Sequence, residues 1–70
     1  PMTTLIVLFN LKPGVSAADY EQFARHTDIP TVTAMRSVEE FTVFRSAGLL
    51  GTDGRPPYQY VELIRISDMD

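Results

Sequence analysis

Three segments of the chain carry the hydrophobic pattern of β-strands. Residues 3–11 (TTLIVLFNL) are rich in β-branched and aromatic residues and end at the turn sequence of residues 12–14, KPG. Residues 38–46 (VEEFTVFRS) and 58–67 (YQYVELIRIS) show the same pattern. The first strand has apolar residues on both faces: Leu5, Val7, Phe9 and Leu11 on one, Ile6 and Leu8 on the other. We therefore expect the sheet to be covered on both sides.

One helix is predicted between the first two strands. Ser16 and Asp19 have the spacing of a capping box, with Asp in place of Glu. A stripe at helical spacing is expected to face the core: Tyr20, Phe23, Ala24 and Thr27. Pro30 disfavours helical backbone at the residue before it, so the helix should stop or break near Thr27. Asp28 would then cap a second short turn. That turn would direct two apolar residues inward: Val32 and Met35.

The predicted element order is β-α-β-β, which makes residues 1–70 a single α+β domain. The crossover through the helix makes the first two strands parallel. The third strand then fits between them as an antiparallel partner, giving the sheet order 1-3-2 with the helix on one face. The other face needs cover that the chain does not contain, and the apolar first strand is left at an open edge. We expect a chain that ends early, a face-to-face dimer, or both.

Composition narrows the classes of partner and site. A chain of 70 residues with no cysteine and one histidine has no disulfide, thiolate metal site or multi-histidine site. Oligomerisation is then the expected support for so small a core. A net charge of −3 without a basic stripe argues against nucleic acid. The longest apolar run, residues 5–9, is too short for a membrane span and is not a signal peptide. A cytoplasmic homodimer is the default expectation.

Two candidate groups for acid/base chemistry stand out. His26 is the one imidazole of the chain and lies close to Asp28 at the predicted helix end, where the pair could transfer protons or hold a divalent metal. The alternative is a half-exposed histidine that the helix dipole favours. Glu62 lies in mid-strand, where an apolar cavity would raise the pKa of its carboxyl group. The alternative for Glu62 is a cross-strand ion pair with Arg45 or Arg36.

Aromatic residues are the candidates for ligand contact. Tyr58 and Tyr60 share a strand face with Glu62, so two phenols and one carboxyl group line one wall. Such a wall suits a planar nitrogen heteroaromatic ligand, although tyrosine is also an ordinary strand residue at dimer interfaces. Phe9 and Phe44 are further candidates for contact with a hydrophobic aromatic ligand.

Several segments together resemble a known family. Residues 5–14 are similar to the first strand of the dimeric α/β-barrel (ferredoxin-like) superfamily. More narrowly, the chain resembles the RedY/HapK family in five places: residues 27–32 (TDIPTV), 37–38, 41, 48–51 (GLLG) and 57–62 (PYQYVE). Family members add a second helix and a fourth strand, and this chain stops at Asp70, where that helix should start. The resemblance therefore implies a fragment or a natural truncation.

The resemblance also implies a function. Members of this family are associated with prodigiosin-type and tryptophan-derived alkaloid pathways, and some act as cyclases. The resemblance implies a homodimer that performs acid/base or metal-assisted cyclisation or condensation on a nitrogen heteroaromatic intermediate. A second hypothesis is a non-catalytic protein that shelters a hydrophobic intermediate. A third is a tautomerase whose base is the amine of Pro1, although a residue left by tag removal explains that proline more simply.

Overall fold

The structure is a computed structural model that describes residues 2–67, with Pro1 and residues 68–70 outside the described part. Strand β1 spans Thr3–Phe9 and is followed by helix α1, Ala17–Phe23. A five-residue π-helical turn, Ala24–Asp28, leads directly into helix α2, Ile29–Thr33. Strands β2 and β3 complete the described part: Val38–Arg45 and Tyr60–Ile66. The predicted β-α-β-β order and the α+β class are confirmed.

The three strands form one sheet in the predicted order β1-β3-β2. Both outer strands pair antiparallel with β3, and a register irregularity in β2 falls between Val38 and Glu40. Paired residues share a face, which assigns each paired strand residue to one side of the sheet. The helix face carries these residues: Thr3, Leu5, Val7, Phe9, Val38, Phe41, Val43, Arg45, Tyr60, Glu62, Ile64 and Ile66. The open face carries the alternate set: Thr4, Ile6, Leu8, Glu40, Thr42, Phe44, Val61, Leu63 and Arg65.

A β-turn ends the extended region after β1, as predicted. The backbone N–H of Val15 donates to the carbonyl of Lys12 at 3.1 Å. Pro13 fits the second turn position, and Gly14 takes the positive φ of 89° that the third position of a type II turn needs. The turn brings the chain to Ser16, whose hydroxyl accepts a hydrogen bond from the Asp19 N–H at 3.0 Å. The predicted helix cap is therefore confirmed.

The helix was predicted to stop or break near Thr27: it does not stop, but its α-helical pattern breaks at the π turn, and the predicted cap at Asp28 is wrong. Asp28 and Ile29 both have right-handed helical backbone angles, and the side chain of Asp28 makes no capping hydrogen bond. A proline within an α-helix lacks an N–H and crowds the carbonyl four residues earlier, here that of His26. We attribute the π turn to this conflict. The Ile29 N–H donates to the carbonyl of Ala24, five residues back, and the helix continues through Pro30.

The wide turn changes which residues face the sheet. Four residues spaced by four are buried or half-buried: Tyr20, Ala24, Asp28 and Val32. The α-helical stripe had placed Phe23 and Thr27 inward instead, but Phe23 is 51% exposed and Thr27 is exposed too. Met35, also predicted inward, is 53% exposed. The π turn adds a residue to the helical repeat, so Asp28 replaces Thr27 on the inner face.

The fully buried core is small and lies between the helix and the sheet. It consists of Ala24, Phe41 and Tyr60, with Tyr60 only 1% exposed. On the open face, by contrast, Ile6, Leu8 and Phe44 keep half or more of their surface accessible, at 66%, 50% and 51%. One side of the sheet is therefore packed and the other presents apolar side chains outward.

Substitution of two phenylalanines, Phe41 on β2 and Phe23 on α1, tests which side chains form the core. Phe41→Ala empties part of the core, and we expect it to lower the free energy of unfolding by about 3 kcal/mol. Phe23→Ala removes a half-exposed ring, and we expect a loss of about 1 kcal/mol or less. Urea unfolding of both variants measures the difference. A large loss from Phe23→Ala would mean that Phe23 faces the core, as the predicted stripe had it.

Candidate functional site

Three aromatic rings form a cluster between the start of the helix and the sheet. Phe9 and Tyr60, which are direct partners across β1 and β3, stack with centroids 5.5 Å apart. Tyr20 contacts Phe9 edge-on, with ring centroids 5.6 Å apart. It contacts Tyr60 in a tilted arrangement, with centroids 4.8 Å apart. Such geometries add stabilisation beyond the buried area alone. The cluster joins the helix to the sheet at Tyr60, the first residue of β3.

The hydroxyl of Tyr60 is held by a charged pair. It donates a hydrogen bond of 2.7 Å to Oε2 of Glu21, and the same oxygen lies 3.2 Å from a guanidinium nitrogen of Arg45. Burial raises the pKa of Tyr60, and the hydrogen bond to Glu21 raises it further. Tyr60 is therefore a packed, neutral core residue, and both its ring and its hydroxyl already have partners.

Farther along the same face, the carboxyl group of Glu62 is influenced by the charge of a second carboxyl group, that of Asp28. Glu62 is half-buried between Val7 and Val43 of the neighbouring strands. Asp28 is half-buried on the π turn above the sheet. Burial raises the pKa of Glu62, and the negative charge of Asp28 raises it further. Among residues 2–67 Glu62 has no ion-pair partner, because Arg45 pairs with Glu21 instead.

Tyr20 adjoins this carboxyl pair. Burial is the main cause that raises the pKa of Tyr20 to about 12, and the charges of Glu62 and Asp28 add to it. Its phenol therefore keeps its proton at all physiological pH values. A protonated phenol beside two carboxyl groups, one of them with a raised pKa, provides both a proton donor and a proton acceptor. We call Tyr20, Asp28 and Glu62 the acid site.

His26 lies apart from the acid site. It is exposed on the π turn, and residues two apart on a helix do not face each other, so its side chain diverges from that of Asp28. Within the described residues no ion pair links His26 to Asp28. Asp28 is thus within electrostatic reach of Glu62, and among the described residues it has no ion pair with the histidine that the sequence had paired with it.

The aromatic candidates are divided between different surfaces. Phe9 and Tyr60 belong to the cluster beside the acid site, whereas Tyr58, 41% exposed, lies before β3 at the end of the sheet. Phe44 pairs with Val61 on the open face and cannot share a wall with them. Tyr20 and Glu21 were not singled out as site residues, although Tyr20 stood in the predicted helix stripe.

Two surface clefts flank Tyr60 and Arg45. One, of about 340 Å³, lies between the helix and β2 and is lined by Glu21, Arg25 and Ile29 among others. The other, of about 270 Å³, lies at the end of the sheet and includes Arg55 and Tyr58. Glu62 lines neither cleft. Glu62 is half-buried, and its partner across the sheet on β1, Val7, is 38% exposed.

The described residues offer few ligands for the possible divalent metal ion. In the part of the chain that the structure describes, no three His, Cys, Asp or Glu side chains come together as a metal site would require. Asp28 and Glu62 supply two carboxylates, which is fewer than protein sites for hard cations usually offer. Asp28 and Glu62 alone do not fit a resident metal ion.

Within residues 2–67, no helix has the length and apolar character needed to cross a bilayer.

The raised pKa of Glu62 makes stability depend on pH. Because its pKa lies above the ordinary 4.5 in the folded chain, folding favours the protonated form. Its contribution to stability is complete below about pH 4.5 and is lost as the pH rises through the raised pKa. We therefore expect Glu62→Gln to have a higher Tm than the parent at pH 7. The two Tm values should converge as the pH approaches 4.5.

Matched variants identify the cause of this gain. Asp28→Asn removes the charge that acts on Glu62 and should raise Tm at pH 7 by a smaller amount. Glu39→Gln, at an exposed position on β2, should leave Tm unchanged. A gain from Glu62→Gln that is equally large at pH 4.5 and pH 7 would contradict the raised pKa.

Comparison with known families supplies an identification. The family described as REDY-like protein HapK matches residues 3–70 of the chain. No curated protein and no solved structure gave a match. The matched residues include all three strands and the whole helix. They therefore include every residue of the acid site. The chain belongs to the REDY-like HapK family, which relates it to natural-product biosynthesis.

Proposed function

We propose that this protein acts in natural-product biosynthesis as an acid/base catalyst of cyclisation or condensation. Its substrate would be a nitrogen heteroaromatic intermediate of the prodigiosin or tryptophan-derived type. The observation that carries the proposal is the half-buried Glu62, whose carboxyl group has a raised pKa beside Asp28 and no cation to neutralise it among residues 2–67. Family membership supports the broader setting.

The acid site suits reactions in which a proton leaves one atom and returns to another. Ring closure on an indole or pyrrole requires removal of a proton from carbon or nitrogen and protonation of a leaving or accepting atom. A carboxyl group with a raised pKa is a stronger base as its carboxylate than an ordinary glutamate. In this proposal Glu62 accepts the proton as a carboxylate, Asp28 holds its pKa up, and the phenol of Tyr20 donates to the developing negative charge.

The surroundings of Glu62 suit an apolar substrate. Glu62 pairs across the sheet with Val7 and Val43, and Val7 remains partly exposed although it lies on the helix face. A flat aromatic ring placed against Val7 would lie beside the carboxyl group and displace water from it. Loss of water would raise the pKa of Glu62 further and strengthen its interaction with the substrate.

A binding protein without catalysis is the second candidate. The exposed apolar side chains on both faces of the sheet, with Val7 on one and Ile6 on the other, favour it because they could shelter a hydrophobic intermediate. The two functions differ in whether Glu62 matters. A carrier needs the apolar surface but not the ionisable group, whereas a catalyst needs both.

Exchange of carbon-bound protons tests the catalytic proposal. Indole-3-pyruvate, a nitrogen heteroaromatic carbon acid, exchanges its side-chain methylene protons with D₂O, and NMR follows the rate. We expect the protein to accelerate this exchange above the buffer rate. Glu62→Gln should lower the acceleration by about a hundredfold, which is within the range of general base catalysis. The pH profile of the parent should rise through a pKa above 4.5.

Three further variants separate the alternatives. Glu39→Gln is the matched control and should keep the parent rate. Pro1→Ala should also keep it, whereas a tautomerase that uses the amine of Pro1 would lose it. His26→Ala should reduce the rate by less than about threefold if Glu62 is the base. Binding of the probe without any acceleration by the parent would support the carrier, and so overturn the catalytic role.

We also propose that the protein forms a homodimer through the open face of its sheet. Ile6, Leu8 and Phe44 expose apolar surface there. The charged groups at one end of this face, Arg65 and Glu40, already pair with each other at 3.1 Å. A face with an apolar centre and internally paired charges suits a second copy of itself rather than a charged partner.

A pair of leucines tests the dimer. Leu8→Arg places a charge in the centre of the open face, and we expect it to shift the sedimentation mass from two chains to one at micromolar concentration. Leu50→Arg, at a fully exposed loop position, is the matched control and should keep the mass of the parent. Circular dichroism reports whether the variant remains folded. A parent that sediments as a single folded chain would refute the dimer.

A further inference from the structure

A cleft at the end of the sheet forms a second candidate binding site, separate from the acid site. It has a volume of about 270 Å³ and lies where β2 ends and β3 begins, next to the start of α1. The residues that give it chemical character are Arg45, Arg55, Pro56, Tyr58 and Gln59. No aspartate or glutamate is among its lining residues.

Hydrogen bonds fix one wall of this cleft. Asn10, just after β1, donates through its side-chain nitrogen to the carbonyl of Pro57 at 3.1 Å and accepts from the Gln59 N–H at 2.8 Å. The Gln59 side-chain oxygen accepts from the Leu11 N–H at 2.6 Å. On the other side the carbonyl of Gln59 accepts from the Ser46 N–H at 2.8 Å. The segment before β3 is thereby tied to both outer strands, and the cleft is formed before any ligand arrives.

The cleft concentrates positive charge on an acidic protein. Two of the six basic residues line it, in a chain of net charge −3. Arg45 contacts Glu21 through one nitrogen at 3.2 Å, which leaves other N–H groups of its guanidinium for a ligand. Within residues 2–67 no carboxylate lies within ion-pair distance of Arg55. Guanidinium groups bind carboxylates in planar, two-point fashion.

Aromatic and apolar surface accompanies these charges. Tyr58 is 41% exposed and lines the cleft together with Pro56. A half-exposed phenol ring offers a face for stacking while its hydroxyl stays in water. We propose that this cleft binds a planar aromatic carboxylate, with the carboxylate against Arg45 and Arg55 and the ring against Tyr58. The proposal holds whether or not Glu62 transfers protons.

Titration with 2-naphthoate tests this site. Amide NMR signals of Tyr58 and Gln59 report binding at the cleft, and we expect a saturable shift with a millimolar or lower Kd. Arg55→Gln should weaken binding about tenfold, as loss of a charge-assisted hydrogen bond predicts. Arg36→Gln, an exposed arginine outside the cleft, is the matched control and should change Kd by less than about twofold.

Two other ligands define the chemistry. The uncharged 2-naphthamide should bind about tenfold or more weakly than 2-naphthoate if the carboxylate is recognised. Inorganic phosphate at an equal concentration should fail to displace 2-naphthoate if the ring contributes. Equal binding of the amide, displacement by phosphate, or an unchanged Kd in Arg55→Gln would each overturn the proposal. So would the absence of shifts at Tyr58 and Gln59.

Discussion

The structure depends on the burial of Tyr60. Its ring packs against Phe9 and Tyr20, and its hydroxyl would be costly to bury without a partner. Glu21 accepts the hydrogen bond, and Arg45 balances the charge of Glu21. This chain of contacts starts in β1 and the helix, passes through β3 and ends in β2. One side chain therefore links the helix to all three strands, and among residues 2–67 the fully buried core has two other members.

The same contacts divide the helix face into two electrostatic regions. Near Tyr60 the negative charge of Glu21 is matched by Arg45, and Arg55 adds a further positive charge at the nearby cleft. Two residues farther along β3, Glu62 and Asp28 have no cation beside them among the described residues. The distance along the strand is only about 7 Å. Regions of opposite charge therefore lie a short distance apart on this side of the protein.

Strand positions and the start of the helix were predictable from sequence, whereas the path of the helix beyond Phe23 was not. Alternation of side chains gave the strand faces, and the need to place β3 between two parallel strands gave the sheet order. The same alternation already separates Phe9 from Phe44, so grouping them at one site ignored the register. At Pro30 the sequence signal for a helix end is identical to that for a π turn, because both relieve the same clash. Only packing against the sheet decides between them.

Only part of the candidate site could be predicted from the sequence, because the path of the helix could not. Glu62 was identified because a carboxyl group in mid-strand is unusual, and this needs only the strand pattern. Asp28 was identified too, but with His26 as its partner, since the expected break removed any reason to point it at the sheet. Glu21 escaped notice because α-helical spacing put it outside the inner stripe. Its role follows from contact with Tyr60, which no periodicity reveals.

The π turn also bears on how such a site can arise. A π turn holds one residue more than the α-turn it replaces, and each residue of an α-helix advances the chain by about 100°. The one extra residue within residues 24–28 turns the side chain at Asp28 toward the sheet, on the side of Glu62. A pair of interacting carboxyl groups is thus one small insertion away from an ordinary helix, which makes it an accessible starting point for new chemistry on an old scaffold.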